Sequence, residues 1–197
     1  MYGDKSKLLN TIVSPTVGQR FILGIDGLSR SGKTTFAKSL RETLRKEQRD
    51  SCLFHLDNHI VERKNRYDTG QEEWHEYYNL QWDVDYLREN LFAKLRSSSE
   101  VNLMFYDAKL DRQVIRTVLL PMDCIVIVEG VFLQRLQWRE FFDLLVYLDC
   151  PRETRFSRET DRSQSNIEKF SNRYWKAEDH YLDSVRPFVG ADMIIKN

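Results

Sequence analysis

The segment Gly27-Leu28-Ser29-Arg30-Ser31-Gly32-Lys33-Thr34 places two glycines, a lysine and a threonine at the four fixed positions of G-x-x-x-x-G-K-[ST]. The spacing has a chemical reason. Glycines let the backbone curl so that successive N–H groups point inward at phosphate oxygens. A helix beginning at the loop adds the positive end of its dipole. Lys33 then reaches the β- and γ-phosphates of a nucleotide such as ATP, the Thr34 hydroxyl ligates Mg2+, and Thr35 donates to a further phosphate oxygen. Gly27, Ser29, Arg30, Ser31, Gly32, Lys33, Thr34 and Thr35 are the candidate nucleotide-binding residues. A chance glycine turn does not satisfy four positions with a strand before it and a helix after it. The motif by itself leaves kinase, NTPase and switch open.

Two carboxylates belong with that loop. Asp57 follows the apolar run SCLFHL and Glu129 follows CIVIV, and ligands of open α/β sheets sit beyond the carboxyl ends of strands. Asp57 is a candidate base for the proton of an acceptor hydroxyl, and Glu129 a candidate acid for holding magnesium through water. The competing readings are an Asx-turn cap for Asp57 and a satisfied loop acid beside Gly130 for Glu129. Asp83 and Asp85 precede a helical pattern, where N-capping competes with substrate binding. Trp74, Tyr77, Tyr78 and Trp82 have helical spacing and read as packing; His55 and His59 read as packing or hydrogen-bonding groups. Arg155, Arg158 and Arg162 fall three and four residues apart, on one helical face. Cations stacked in that way repel unless an anion meets them, the alternative being a solvated face.

These groups need a scaffold, and the hydrophobic pattern describes one. Phe21 to Ile25, Ser51 to Leu56, Cys124 to Val128, Leu144 to Leu148 and Met193 to Ile195 read as buried strands. Helical patterns lie over 34–48, 84–96, 134–142 and 167–185, the last ended by Pro187. The alternation predicts an α/β fold: a doubly wound parallel five-stranded sheet within a single domain spanning 1–197. An inserted β-hairpin is expected over 101–120. An arginine-rich lid is expected over 152–173, mobile because it is poor in apolar residues.

The chain has 197 residues, 41% of them hydrophobic and 30% charged, which excludes disorder and collagen-like repeats. Lysine plus arginine equals aspartate plus glutamate at 30 each, so net charge makes no case for a dedicated nucleic-acid binder. Cys52, Cys124 and Cys150 form neither a disulfide framework nor a zinc spacing, and point to a reduced, cytoplasmic protein. No apolar run approaches a membrane span, and the N-terminus lacks the apolar core of a signal peptide.

Four stretches, ILGIDGLSRSGKTT, FHLDNH, IVIVEGVF and YLDCPRETRFSRETDR, resemble the uridine kinase-like and phosphoribulokinase-related P-loop kinases, from about Phe21 to Asn197. The resemblance implies phosphorylation of a small hydroxyl compound from ATP and magnesium. Asp57 would be the base, Lys33, Arg158 and Arg162 would act with it, and Arg155 would close over the nucleotide. Pantothenate or sugar-phosphate kinases are the neighbouring readings, and a nucleotide switch with a protein partner the distant one; pairing into a homo-oligomer stays open. For nucleoside kinases of this family it implies Asp83, Tyr106 and the position of Asp111 as substrate-binding. Two departures stand out. Asp111 replaces a histidine that contacts the pyrimidine, and the lid pair is Arg158-Glu159 where two arginines are expected. An ionised aspartate cannot donate to a pyrimidine carbonyl, so uridine is expected to be a poor acceptor.

Lys33→Ala is expected to abolish turnover, because the β/γ-phosphate charge loses its main side-chain counterion. Wild-type rates in a steady-state assay of that variant would remove the basis of the reading.

Overall fold

The computed structural model describes residues 2–12, 19–160, 164 and 167–197. Five parallel strands form its centre: β1 (Phe21–Asp26), β2 (Ser51–His55), β5 (Ile125–Glu129), β6 (Leu144–Asp149) and β7 (Met193–Lys196). Their order is β2-β5-β1-β6-β7. β1 lies between β5 and β6, in register Phe21 to Ile125 and Leu23 to Leu144. The loop that leaves β1 therefore opens at the middle of the sheet. All five residues of β5 are buried, as a strand covered on both faces requires. At Gly24 a Cβ would approach Leu145 to 2.6 Å and Phe142 to 2.9 Å, so the glycine lets two large side chains close over the strand.

One face is covered by α1 (Tyr2–Thr11) and α2 (Lys33–Lys46). α2 buries Phe36, Ala37, Leu40 and Leu44, a stripe at helical period. α1 has no counterpart in the sequence reading. Its polar composition hides two anchors, Leu8 and Ile12, buried against that stripe, and Lys5 Nζ donates to the Ser39 carbonyl and hydroxyl.

The other face carries α3 (Glu73–Asn79), α4 (Val84–Asn90) and a helical run, α6, made of Ile167–Lys169, a π-helical Phe170–Trp175 and Lys176–Val185. Trp82, Phe132, Trp138 and Tyr181 fill this side. The indole N–H groups are satisfied, Trp82 donating to Leu56 O at 3.0 Å and Trp138 to Val84 O at 3.1 Å. The expected hairpin is β3 (Glu100–Asp107) paired antiparallel with β4 (Arg112–Leu119). Short helices α5 (Arg152–Ser157) and α7 (Pro187–Gly190) flank α6. Among the described residues no helix is long and apolar enough to cross a membrane.

Three sequence expectations change. The helix over 134–142 is replaced by turns, with a 3-10 segment only at Arg139–Phe141. Gln134 and Arg135, which a surface helix would expose, are buried; Gln134 donates to Asp26 and Pro187 O, Arg135 to Tyr78 O. The helix expected over 84–96 stops at Asn90, followed by a 3-10 turn at Phe92–Lys94. The lid segment also buries more than its composition implies. Arg155 and Arg173 are 5% and 1% exposed, and Phe156 meets Phe170 with ring centroids 5.2 Å apart.

Arg173 donates to Glu76 Oε2 at 2.9 Å and to Arg66 O at 2.9 Å, and its guanidinium lies 4.0 Å from the Tyr67 ring centroid. Desolvation alone would raise Glu76; bonds from Thr69 N and Oγ1 and from Arg173 outweigh it and hold the carboxyl below its ordinary range. Arg173→Met strands a buried carboxylate and should cost about 3–5 kcal/mol in urea unfolding. Adding Glu76→Leu should recover most of that loss; a double variant no more stable than the single one would show that the pair is not the source.

Candidate active site

The backbone leaves β1 through Gly27, at φ 150°, and enters α2 through Gly32, at φ 91°. Both lie in the region that favours glycine. A Cβ on Gly27 would come within 2.7 Å of Leu148 O, and one on Gly32 would run into the Asn197 amide. Gly32 offers no side chain to cap α2, so the first N–H groups of that helix face outward into a cavity of about 870 Å³. Ser31 Oγ is buried without a hydrogen-bond partner among the described residues. The helix end, with Ser29, Arg30 and Gly32 on the cleft wall, suits phosphate oxygens, whereas Ser31 is fully buried and does not line the cleft.

Lys33 is 7% exposed and donates from Nζ to Leu28 O at 2.8 Å. Desolvation lowers its pKa, opposed first by Glu129 and Asp57, then by Asp26 and Glu178. β5 delivers Glu129, whose Oε1 accepts from the Thr34 hydroxyl at 2.8 Å and lies 2.6 Å from His55 Nδ1. β2 delivers Asp57 on the turn after His55, with its side chain open to the cleft.

The two carboxyls diverge. Desolvation by the cleft walls raises Asp57, with Lys33 opposing and Glu129 reinforcing. Glu129 is also desolvated, but the His55 hydrogen bond, Lys33 and Thr34 overcome this and hold it low. A carboxylate kept ionised beside a hydroxyl suits a magnesium ion; one with a raised pKa suits proton acceptance. Among the described residues no cluster of three or more His, Cys, Asp or Glu forms a protein-only metal cage. The Thr34–Glu129 oxygen pair fits a cation that takes its other ligands from phosphate and water.

The remaining sequence candidates separate. Thr35 and Arg158 line the cleft, and Arg158 Nη1 donates to Arg30 O at 2.9 Å. Arg155 is not available to a nucleotide in this arrangement. Its Nη1 and Nη2 bind Glu178 at 2.8 and 3.0 Å, Nη1 also binds Ser29 O, and Nε binds Cys150 O. Nor does α5 present a charged face with Arg158, which caps its C-terminus. Arg162 lies outside the described residues. Asp83 is the N-cap of α4, accepting from Tyr86 N at 2.9 Å. Tyr106 OH donates to Asp111 Oδ1 at 2.8 Å, and Asp111 also accepts from Arg63 N. None of these last three lines the cleft.

Residues outside the phosphate loop and its two carboxylates complete the site. Tyr77, Val131, Lys169, Phe170 and Tyr174 wall the cleft beside Asp57. A second, more apolar cavity of about 480 Å³, with Phe36, Leu148, Ile195 and Asn197 in its wall, shares Gly32, Thr35 and Arg158 with the first. Tyr77 was legible only as one member of a helical aromatic series.

The sequence profile of the AAA domain matches residues 23–179. A Bacillus stearothermophilus protein of solved structure, described as a possible uridine kinase, is 49% identical over 98% of each chain with a TM-score of 0.87. The chain belongs to the uridine kinase-like P-loop kinases. The uridine kinase of Borreliella burgdorferi (strain ZS7) is 29% identical over 173 residues, 84% of this chain and 76% of that one. Phosphoribulokinase from Rhodobacter spheroides shares the fold at 14% identity, with a TM-score of 0.64 over 90% of this chain and 70% of its own. The kinase thus has the expected parallel sheet, phosphate loop and hairpin.

A base must be deprotonated to act, and a raised pKa brings protonation in at higher pH. The acid limb of kcat/KM should therefore lie above the ordinary aspartate value of about 3.9. Asp57→Asn should remove that limb and lower turnover by roughly 10²–10⁴. An unchanged rate and profile in a folded Asp57→Asn protein would reduce Asp57 to a turn cap.

Proposed function

We propose that this kinase transfers the terminal phosphoryl group of ATP to a hydroxyl of a small molecule, with Asp57 as the proton acceptor. The observation that carries the reading is the convergence of Lys33, the Thr34–Glu129 pair and Asp57 in one cleft. Lys33 and the N-terminus of α2 hold the phosphates, and the apolar second cavity suits the base of the nucleotide. Magnesium held through Thr34 and Glu129 supplies neutralisation of phosphate charge. Asp57 orients the acceptor hydroxyl and receives its proton. The aromatic wall of Tyr77, Phe170 and Tyr174 gives the acceptor an apolar surface that excludes water, which favours transfer over hydrolysis.

Uridine is a poor acceptor in this reading. Tyr106 OH already donates to Asp111 and accepts from Arg66 Nη2 at 3.3 Å, so it has no free donor for a nucleoside. The test is acceptor-dependent ADP release across uridine, other nucleosides, pantothenate, ribulose 5-phosphate and simple alcohols. An alcohol other than uridine should be the efficient acceptor. A kcat/KM for uridine at or above about 10⁴ M⁻¹s⁻¹ would overturn the exclusion of uridine. ADP release unaffected by every acceptor would overturn the kinase reading.

A further inference from the structure

The loop residue Arg30 adopts φ 60°, a left-handed conformation that costs a side-chain-bearing residue energy unless its surroundings enforce it. Four side chains from the lid and α6 do so. Glu178 accepts from Ser29 N at 3.2 Å and Arg155 donates to Ser29 O at 3.0 Å. Arg158 donates to Arg30 O at 2.9 Å. Glu159 takes the Arg30 guanidinium itself, Nε to Oε1 at 2.6 Å and Nη2 to Oε2 at 2.9 Å.

That last contact is a two-pronged fork, which fixes a guanidinium in plane as well as in place. The Glu159 side chain is 8% exposed and that of Arg30 53%, so the carboxylate is the embedded partner and the cation the presented one. Both line the cleft. Nε and Nη2 are consumed, leaving Nη1 with no hydrogen-bond partner among the described residues. Asp57 is one of the carboxylates whose charge acts on Arg30, after Glu159. Position 159 is where a second lid arginine is expected from the family resemblance, and a glutamate there would repel phosphate if it faced one alone.

We propose that Arg30 is the cation that meets the transferring phosphoryl group and that Glu159 is the positioning residue that aims it. The phosphate loop thereby supplies the charge that a second lid arginine would otherwise bring. During transfer the acceptor oxygen forms a bond to the γ-phosphorus, the bond to the β-phosphate oxygen of ADP breaks, and the acceptor proton passes to Asp57. At the transition state charge is spread over the three equatorial oxygens, and a guanidinium held beforehand needs no reorganisation to meet it. Glu159 also keeps the fork from turning onto Asp57, which would quench the base. This inference rests on the kinase reading, and its test separates the two.

The experiment compares Glu159→Gln, Arg30→Lys, Arg30→Ala and Arg30→Ala/Glu159→Ala. Calorimetry measures affinity for a nonhydrolysable ATP analogue with magnesium and for ADP with magnesium and aluminium fluoride, a mimic of the transferring group. Glu159→Gln and Arg30→Lys should bind the analogue within about twofold of wild type and lose roughly 10²-fold for the mimic. With the acceptor found, kcat should fall by about 10³ in Arg30→Ala while KM for ATP holds, and the double variant should be no slower. Equal losses for both ligands would make the pair a structural brace and overturn the proposal. A faster Glu159→Gln enzyme would make it a latch, with the same consequence. Full mimic affinity in Arg30→Lys would show that charge suffices without the fork, and would overturn the role of Glu159. Failure of wild-type protein to bind either nucleotide would bring down the kinase reading itself.

Discussion

Lys33 is a cation on a side chain buried to 7% exposure, and the carboxylates that answer its desolvation organise the chain around it. Desolvation works against the ammonium. It is opposed by carboxylates from four parts of the fold: Asp26 at the end of β1, Asp57 after β2, Glu129 at the end of β5 and Glu178 on α6. A parallel sheet brings three of these to one edge because all its strands end on the same side. The crossover helices that join such strands put α2, with Lys33 at its first position, beside them.

The same carboxylates have divided duties. Asp26 is fully buried; it accepts from Tyr181 OH at 2.5 Å and Gln134 Nε2 at 2.9 Å, and burial raises its pKa. Glu178 is spent on Arg155 and on the Ser29 amide. These two tie the phosphate loop to α6 at both ends of one helical turn. Arg152 pairs with Asp179 on the same helix, so α5, α6 and the loop are braced together. Of the four, only Asp57 and Glu129 line the cleft, and their opposite pKa displacements follow from their neighbours. Glu129 has three stabilising partners; Asp57 has the open cleft.

The buried arginines show the cost of this arrangement. Arg155 and Arg173 are each held by a carboxylate and by backbone carbonyls, and Arg20 is held by the carbonyls of Leu95, Leu120 and Pro121, with Met122 Sδ at 3.4 Å. Such side chains stabilise little in themselves, but any partner left unmatched is expensive. They fix which loops meet. The cleft wall at Tyr77 and Tyr174 stands where it does because Arg173 packs on Tyr67 and near Tyr77, between α3 and the π-helical turn of α6.

The sequence alone determined the sheet, the phosphate loop and the placement of Asp57 and Glu129. Each rests on local information: short apolar runs, glycine spacing, and the rule that acids after strands gather at one edge. It also carried the hairpin, whose strands are adjacent in the chain. Tertiary structure decided what the arginines do. Arg155, Arg158 and Arg173 are alike in type, yet one grips Glu178, one reaches a loop carbonyl and one is buried on Glu76, because acceptors far away in the chain compete for each guanidinium. It likewise joined Tyr106 to Asp111 away from the cleft and gave Arg30 its partner 129 residues away, whereas the Asp83 cap, a bond to Tyr86 N, was among the local readings. Local pattern cannot rank such pairings, since their energies depend on burial and geometry that exist only once the chain has packed.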